Sequence, residues 1–217
     1  MTALDPFPLR TQRLVLRRLV PADYDALARY RGLPAVARYQ SWETFTPTDA
    51  ERFVADQDLV ASDTPGTWLQ LGIAAGGALV GDLGLHTRAD DPRQVEFGIT
   101  LDPDHQGLGY ATEAVGAVLG YVFGTLGKHR AAATTDAANS PAAALFARLG
   151  FRQEGHFLRN VWFKGAWGGE FLFALQREEW AARLAARAVD DFRKGWCSTP
   201  SCGWWSWTCP RTASCRG

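Results

Sequence analysis

Residues 101–114 constrain this chain more tightly than any other stretch, because they join a strand to a helix through two glycines. After Glu113 the apolar residues fall at Val115, Val118, Leu119, Val122, Phe123 and Leu126. That is the i, i+3, i+4, i+7, i+8, i+11 series of a helix with one face in a core. Ahead of it, Val95-Glu96-Phe97-Gly98-Ile99-Thr100-Leu101 reads as a strand. Between the two, Gly107 and Gly109 carry no side chains, so backbone N–H groups at the helix start stand open to a bulky anion. Unpaired N–H groups and the positive end of the helix dipole suit that place to phosphate. Taken alone, Gly-x-Gly serves equally well as a plain turn. No Lys-Ser or Lys-Thr follows, which excludes a nucleoside-triphosphate loop, and Thr112 stands where the dinucleotide fingerprint needs its third glycine.

The rest of the chain supplies a sheet for this unit to join. Arg13-Leu14-Val15-Leu16-Arg17-Arg18-Leu19 is strand-like, with Leu14 and Leu16 on one face. Pro21 opens a short helix carrying Tyr24, Leu27 and Tyr30, and Leu33-Pro34 breaks it. Thr48-Asp49-Ala50-Glu51 has the form of a capping box ahead of Phe53 and Val54. Two strands, from Trp68 to Ala74 and from Leu79 to Leu85, flank the turn Ala75-Gly76-Gly77-Ala78. A polar loop over residues 88–93 leads to the strand that enters the glycine loop. Beyond the helix, residues 130–135 form an alanine-rich strand candidate. Asn139-Ser140-Pro141 starts a further helix, which carries Ala142, Leu145, Phe146 and Leu149 and stops at Gly150. Residues 151–163 and 170–175 pair as a closing hairpin across residues 164–169, and a last helix runs from Glu178 to about Val189. This order implies a mixed α/β fold with a largely antiparallel start, not the regular alternation of a doubly wound sheet.

Length and composition fit one domain over residues 1–189 with an appendage over 190–217. With 23 basic and 23 acidic residues the formal net charge is zero, which counts against a nucleic-acid partner. No apolar run approaches the roughly 18 residues that span a bilayer, and no secretory signal is visible, so a cytoplasmic protein without membrane attachment is expected. All four cysteines (Cys197, Cys202, Cys209 and Cys215) lie in the tail, beside Trp196, Trp204, Trp205 and Trp207. Their spacing lacks the Cys-x-x-Cys pairs of common zinc modules, so no metal is expected. The domain itself has neither a cysteine nucleophile nor a disulfide frame. On composition the tail reads as an adventitious, irregular extension.

Gln106-Gly107-Leu108-Gly109-Tyr110-Ala111 resembles the acetyl-CoA pyrophosphate loop of the GNAT superfamily of N-acetyltransferases. Downstream, Asn139, Ala142, Phe146, Gly150 and Phe151 follow the pattern Asn-x-x-Ala/Ser … Tyr … Gly-Phe of the same superfamily. The resemblance runs over about residues 9–182. It is nearest to the Rim-type, ribosomal-protein alanine N-acetyltransferase branch. The residues that carry it are Thr11-Gln12-Arg13-Leu14-Val15-Leu16-Arg17, Gly109-Tyr110-Ala111-Thr112-Glu113-Ala114, Gly155-His156-Phe157-Leu158-Arg159-Asn160 and Trp167-Gly168-Gly169-Glu170.

The resemblance implies a GNAT-like central sheet of about seven strands flanked by helices, splayed in the middle to hold acyl-CoA. It implies an amine substrate, such as a protein N-terminus or a small molecule, that attacks the thioester of acetyl-CoA directly, in a monomer or homodimer. A non-catalytic acyl-CoA-binding module, or an enzyme using another acyl donor, are the alternatives. Gln106, Gly107, Leu108, Gly109, Tyr110, Ala111 and Thr112 would then surround the pyrophosphate, with Ile99 and Leu101 offering main-chain groups to the pantetheine arm. Asn139 would contact the cofactor arm or simply cap its helix. The attacking amine must be neutral, so a base is needed. Glu96 occupies a position where relatives often carry one, and strand alternation sets it on one face with Gly98 and Thr100. A solvated edge carboxylate is the other reading of Glu96, and His86 is a lesser candidate. Trp42 and Trp162, with Glu96, are expected near the substrate, as are Tyr39, Phe45, Phe157 and Trp167; Asp82 and Glu170 are further carboxylates able to attract an amine. Phe146 stands at the cofactor-side position where many relatives place a proton-donating tyrosine, and Ala142 where Rim-type relatives often have serine. No general acid can therefore be named from the sequence.

Overall fold

The computed structural model describes residues 6–58 and 60–193. The four cysteines and the tail tryptophans lie outside the described residues. The chain divides into two units, Met1–Ala181 and Ala182–Gly217, and the architecture below is that of the first.

The unit opens with β1 (Leu9–Arg10) and β2 (Leu14–Arg18). A 3-10 turn at Pro21–Asp23 feeds α1 (Tyr24–Arg31). Pro34, expected to break this helix, also begins a new single turn, α2 (Pro34–Ala37). Proline suits that first position because the N–H it lacks would have had no partner there. In α3 (Pro47–Asp58) the same rule moves the capping box. The box forms at Thr46 and Asp49, not at Thr48 and Glu51: the Thr46 N–H and hydroxyl donate to Asp49 at 2.8 and 2.7 Å, and the Asp49 N–H donates back to the Thr46 hydroxyl oxygen at 3.2 Å. With Pro47 at the first helical position, only Thr46 is free to cap.

β3 (Trp68–Ala75) and β4 (Ala78–Thr87) form the expected hairpin. Gly76 and Gly77, at φ +58° and +88°, supply the two left-handed residues of the tight turn. β5 (Gln94–Leu101) runs into the glycine loop, and α4 (Tyr110–Gly120) follows. Val115, Val118, Leu119 and Val122 are completely buried, as the periodicity requires. The helix ends in a π turn at Tyr121–Thr125, where the Leu126 N–H reaches the Tyr121 carbonyl at 3.0 Å. Next come β6 (Arg130–Asp136) and α5 (Ser140–Leu149), which stops at Gly150 with φ +94°. β7 (Arg152–Phe163) and β8 (Ala166–Gln176) close the sheet, and α6 (Arg177–Arg193) follows. Their turn is Lys164-Gly165 alone, at φ +49° and +81°, so residues 166–169, expected in the loop, are strand.

The sheet has eight strands in the order β1-β2-β3-β4-β5-β6-β8-β7. The strand beyond the expected seven is β1, too short to leave a periodic pattern. Every neighbouring pair is antiparallel except β5–β6. One face, carrying Leu71, Leu83, Leu85, Val95 and Phe97, packs with α4 and α5 residues in the main core. Over the other face α1 and α3 close a smaller core around Leu27, Tyr30 and Val54. There Arg31 pairs with Asp82 through two hydrogen bonds, Tyr30 donates to the same carboxylate, and all three side chains are buried. Trp42, Phe45 and Phe53 surround the Arg31 guanidinium at 4.4, 5.1 and 4.2 Å, which gives a buried cation π-faces as well as a counter-ion.

The parallel pairing of β5 with β6 is brief. It runs from Gln94–Arg130 to Glu96–Ala132, after which the two strands part.

Candidate active site

A cleft of about 730 Å³ opens at this parting. Its walls are the end of β5 (Ile99, Thr100, Leu101), the loop and first turn of α4 (Gln106, Gly107, Gly109, Tyr110, Ala111, Thr112), and one face of α5 (Pro141, Ala142, Ala144, Leu145, Arg148) with its cap Asn139. Ala35, Val36, Tyr39 and Gln40 roof it.

The loop is built to leave donors open. Gly107 and Gly109 sit at φ +74° and +82°, where a side chain would strain the backbone. Gly109, as the N-cap, brings no capping side chain, and the first bond of the helical ladder is Glu113 N–H to the Gly109 carbonyl at 3.1 Å. The N–H groups of Tyr110, Ala111 and Thr112 thus precede the ladder and face an open cleft.

A carboxylate lies one turn into α4, where it would repel an anion if left alone. Glu113 is neutralised: it accepts from the Thr11 hydroxyl at 2.5 Å, from the Arg13 N–H at 2.9 Å and from Arg13 Nε at 2.7 Å. Arg13 Nη1 also donates to the Leu108 carbonyl at 2.9 Å, and the guanidinium lies 4.9 Å from the centre of the Tyr110 ring. Burial opposes ionisation of Glu113, but these donors outweigh it and hold the carboxyl below the usual range. The segment between β1 and β2 therefore braces the loop from behind. Upstream, buried Asp102 accepts from the Asp104 N–H at 3.3 Å and pairs with Arg29, so its pKa too is lowered despite burial.

Strand alternation decides what β5 shows to the cleft. Asp102 N–H bonds the Val80 carbonyl, so residues of even number in β5 turn their main-chain groups to β4. Those of Ile99 and Leu101 face the side from which β6 has withdrawn. Gln106 spans this edge by donating to the Leu101 carbonyl at 3.2 Å. Across the cleft, Asn139 caps α5, its Oδ1 accepting from the Ala142 N–H at 3.2 Å. The capping reading of Asn139 is realised, and the residue also lines the cleft.

Several expected residues are elsewhere. Leu108 is half exposed and off the wall. Phe146 is buried between Phe151 and Phe173, with ring centres 5.2 and 6.0 Å away, so it packs the core beneath α5. Trp42 is engaged with Arg31, donating to its carbonyl at 3.0 Å. Trp162 stands 61% exposed near the β7–β8 turn, against Trp167 at 5.5 Å. Asp82, held by Arg31 and Tyr30, is closed to a substrate. Glu170 is hydrogen-bonded by Asn160. Glu96 lies at the last rung of the β5–β6 pairing, three residues upstream of the cleft wall at Ile99, and its side chain makes no hydrogen bond or ion pair.

Tyr39, expected near the substrate, does line the cleft, whereas Arg148 and Gln40 were missed by sequence reasoning. Arg148 was findable: it follows Ala142 and Leu145 at helical spacing, and its Nη1 lies 3.5 Å from the Thr112 hydroxyl, bringing a cation to the glycine loop. Gln40 carries no such signal. The Tyr39 hydroxyl reaches the Ala138 carbonyl at 3.4 Å, and Gln40 donates to the Thr100 hydroxyl at 3.3 Å.

Comparison with known proteins follows this geometry. Residues 13–152 match the family described as acetyltransferase (GNAT) domain. The chain belongs to the GNAT acetyltransferase family. The uncharacterized N-acetyltransferase YnaD of Bacillus subtilis (strain 168) is 28% identical over 172 residues, covering 79% of this chain and 98% of its own. The structure of Mycobacterium smegmatis RimJ in complex with CoA-disulfide is 26% identical, covers 81% of this chain and 89% of its own, and has a TM-score of 0.69. The Rim-type likeness read from the sequence is thus met in a solved neighbour. Spermidine N-acetyltransferase from Vibrio cholerae, solved with CoA and spermine, shares the fold at 20% identity, with a TM-score of 0.68 over 79% of this chain and 99% of its own. In this GNAT acetyltransferase no cluster of three or more metal-ligating side chains occurs among the described residues, and no described helix is long and apolar enough to cross a membrane.

Proposed function

We propose that this GNAT acetyltransferase moves an acetyl group from acetyl-CoA to a primary amine by direct attack. The observation that carries this reading is the parting of β5 from β6 after Glu96–Ala132, continuous with a cleft that ends at the uncapped start of α4.

The residues present fit the co-substrate. The open N–H groups at the start of α4, with Arg148 beside them, suit the pyrophosphate; the main-chain edge at Ile99 and Leu101 that β6 leaves uncovered suits the amides of the pantetheine arm, and Asn139 borders the same path. Bound there, acetyl-CoA supplies a thioester whose carbonyl carbon gains the C–N bond as the C–S bond breaks. Glu96 acts as the base. An alkyl ammonium has a pKa of about 10.4, so at neutral pH the amine must lose a proton before its lone pair can attack. Phe146 has no proton to give, so the departing thiolate takes one from water. That is tolerable for a thiol of pKa about 8.5.

One observation favours a second reading, an acyl-CoA-binding module without catalysis: the aromatic residue of α5 where relatives carry an acid is a buried phenylalanine. A thiol-release assay with acetyl-CoA against a panel of primary amines and peptides separates the two. Release that depends on both reactants is expected. CoA binding without release by any amine leaves only the module, and succinyl-CoA in parallel tests the donor.

A further inference from the structure

The sheet face opposite α4 carries a feature that the co-substrate does not need. Trp68, His86 and Glu96 form one row across β3, β4 and β5, because Trp68 registers with His86 and His86 with Glu96. Cross-strand partners point to the same face. One step along, Gly84 registers with Gly98. A side chain at either glycine would meet the indole: a Cβ on Gly84 would lie 2.9 Å from Trp68, and one on Gly98 3.6 Å. The indole of Trp68 therefore leans over β4 as far as β5, across ground that two glycines keep bare. It reaches a point one same-face position, roughly 7 Å, from Glu96.

The chemistry of the row is that of a cation site. His86 stacks on Trp68 with centroids 4.9 Å apart and ring planes 14° from parallel, so the histidine fixes the lie of the indole. Trp68 is 39% exposed despite this packing. The Glu96 side chain has no hydrogen bond or ion pair; Arg88, whose charge it feels, is committed to Asp90 through two hydrogen bonds. His86 Nδ1 is buried without a partner, so the ring is not held by hydrogen bonds and its position rests on the stack.

We propose that Trp68, backed by His86, is the residue that selects the acceptor. It forms with Glu96 a subsite for a primary aliphatic ammonium, which lies against the exposed part of the indole and gives its proton to the carboxylate before attack. Trp68 is a specificity residue, and His86 a positioning residue that acts through it. This rests on the acetyltransferase reading above.

The test is steady-state kinetics on the full chain, with the best amine from the panel and acetyl-CoA varied separately. Trp68→Leu and Gly84→Ala, the second displacing the indole from behind, should each raise the KM for the amine about five- to tenfold, the scale of one cation–π contact. The KM for acetyl-CoA and the thermal midpoint of Trp68→Leu should stay at wild-type values. His86→Ala should follow Trp68→Leu, whereas His86→Phe, which restores the stack, should return the amine KM to within about twofold of wild type. Acetylation with an unchanged amine KM in both Trp68→Leu and Gly84→Ala overturns the subsite and leaves the enzyme reading standing. No acetylation of any amine by the wild type overturns both.

Discussion

The two ends of β5 are built on opposite plans. At its C-terminal end the cleft presents main-chain donors, and the carboxylates behind it are held: Glu113 by Thr11 and Arg13, Asp102 by Arg29, while Gln106 bonds the Leu101 carbonyl. At its N-terminal end stands a carboxylate with no partner, beside a half-exposed indole and a histidine whose buried nitrogen has none. A region that only binds can pair its own charges in advance and leave main-chain donors open for the ligand. A region that must take a proton and admit a variable partner leaves groups unsatisfied, at some cost in stability.

The sharpest way to break this comparison is Glu96→Gln. Turnover should fall about 100- to 1,000-fold while CoA affinity holds, measured by thiol release and calorimetry. Unchanged turnover would remove Glu96 as base and leave the N-terminal end of β5 without a chemical role. Next in size is Gly109→Ala. Left-handed backbone costs a side chain about 1–2 kcal/mol, and the new Cβ would lie 3.3 Å from Arg13 Nη2, so CoA should bind about tenfold more weakly with the amine KM unmoved. Arg13→Ala leaves Glu113 unneutralised beside the open N–H groups, and a rise of about three- to fivefold in the acetyl-CoA KM is expected, shrinking as salt is raised.

The smallest effect is on stability. Glu113 has a folded pKa below its unfolded value of about 4.3, so it contributes stability above that pH and loses it as pH falls through the folded pKa. Denaturant midpoints of wild type and Glu113→Gln should differ at pH 6 and converge as the pH falls below about 4. A gap that persists in acid would mean that packing, not charge, holds the brace.

What could be read from the sequence follows the same division. The glycine loop, α4 and the cap of α5 were legible because each is local: glycines at left-handed positions, apolar residues at helical spacing, a proline after a capping side chain. Errors of detail came where proline overrode a motif, as when Pro47 moved the capping box to Thr46. The acceptor side was not legible in the same way. Trp42 and Trp162 looked like substrate contacts, but one packs on Arg31 and the other stands near a hairpin turn. Trp68 lies 28 positions before Glu96 and meets its row only through the register of two strand pairings, which no spacing announces. Phe146 showed a departure from its relatives, yet only packing against Phe151 and Phe173 shows the position given over to the core.

Lys164, at the β7–β8 turn, donates to the carbonyls of Ala37 and Trp42 at 2.7 and 2.6 Å, across 127 and 122 positions of chain. The roof of the cleft is thus fastened by one of the last parts of the sheet to be synthesised, and β6 gains its outer neighbour, β8, only then. A nascent chain that has completed its glycine loop and α5 has the parts of a phosphate site and no enclosed room around them. Maturation of the cleft is a late, long-range event in folding, and a truncation after α5 would spare the sequence motif while losing the chamber.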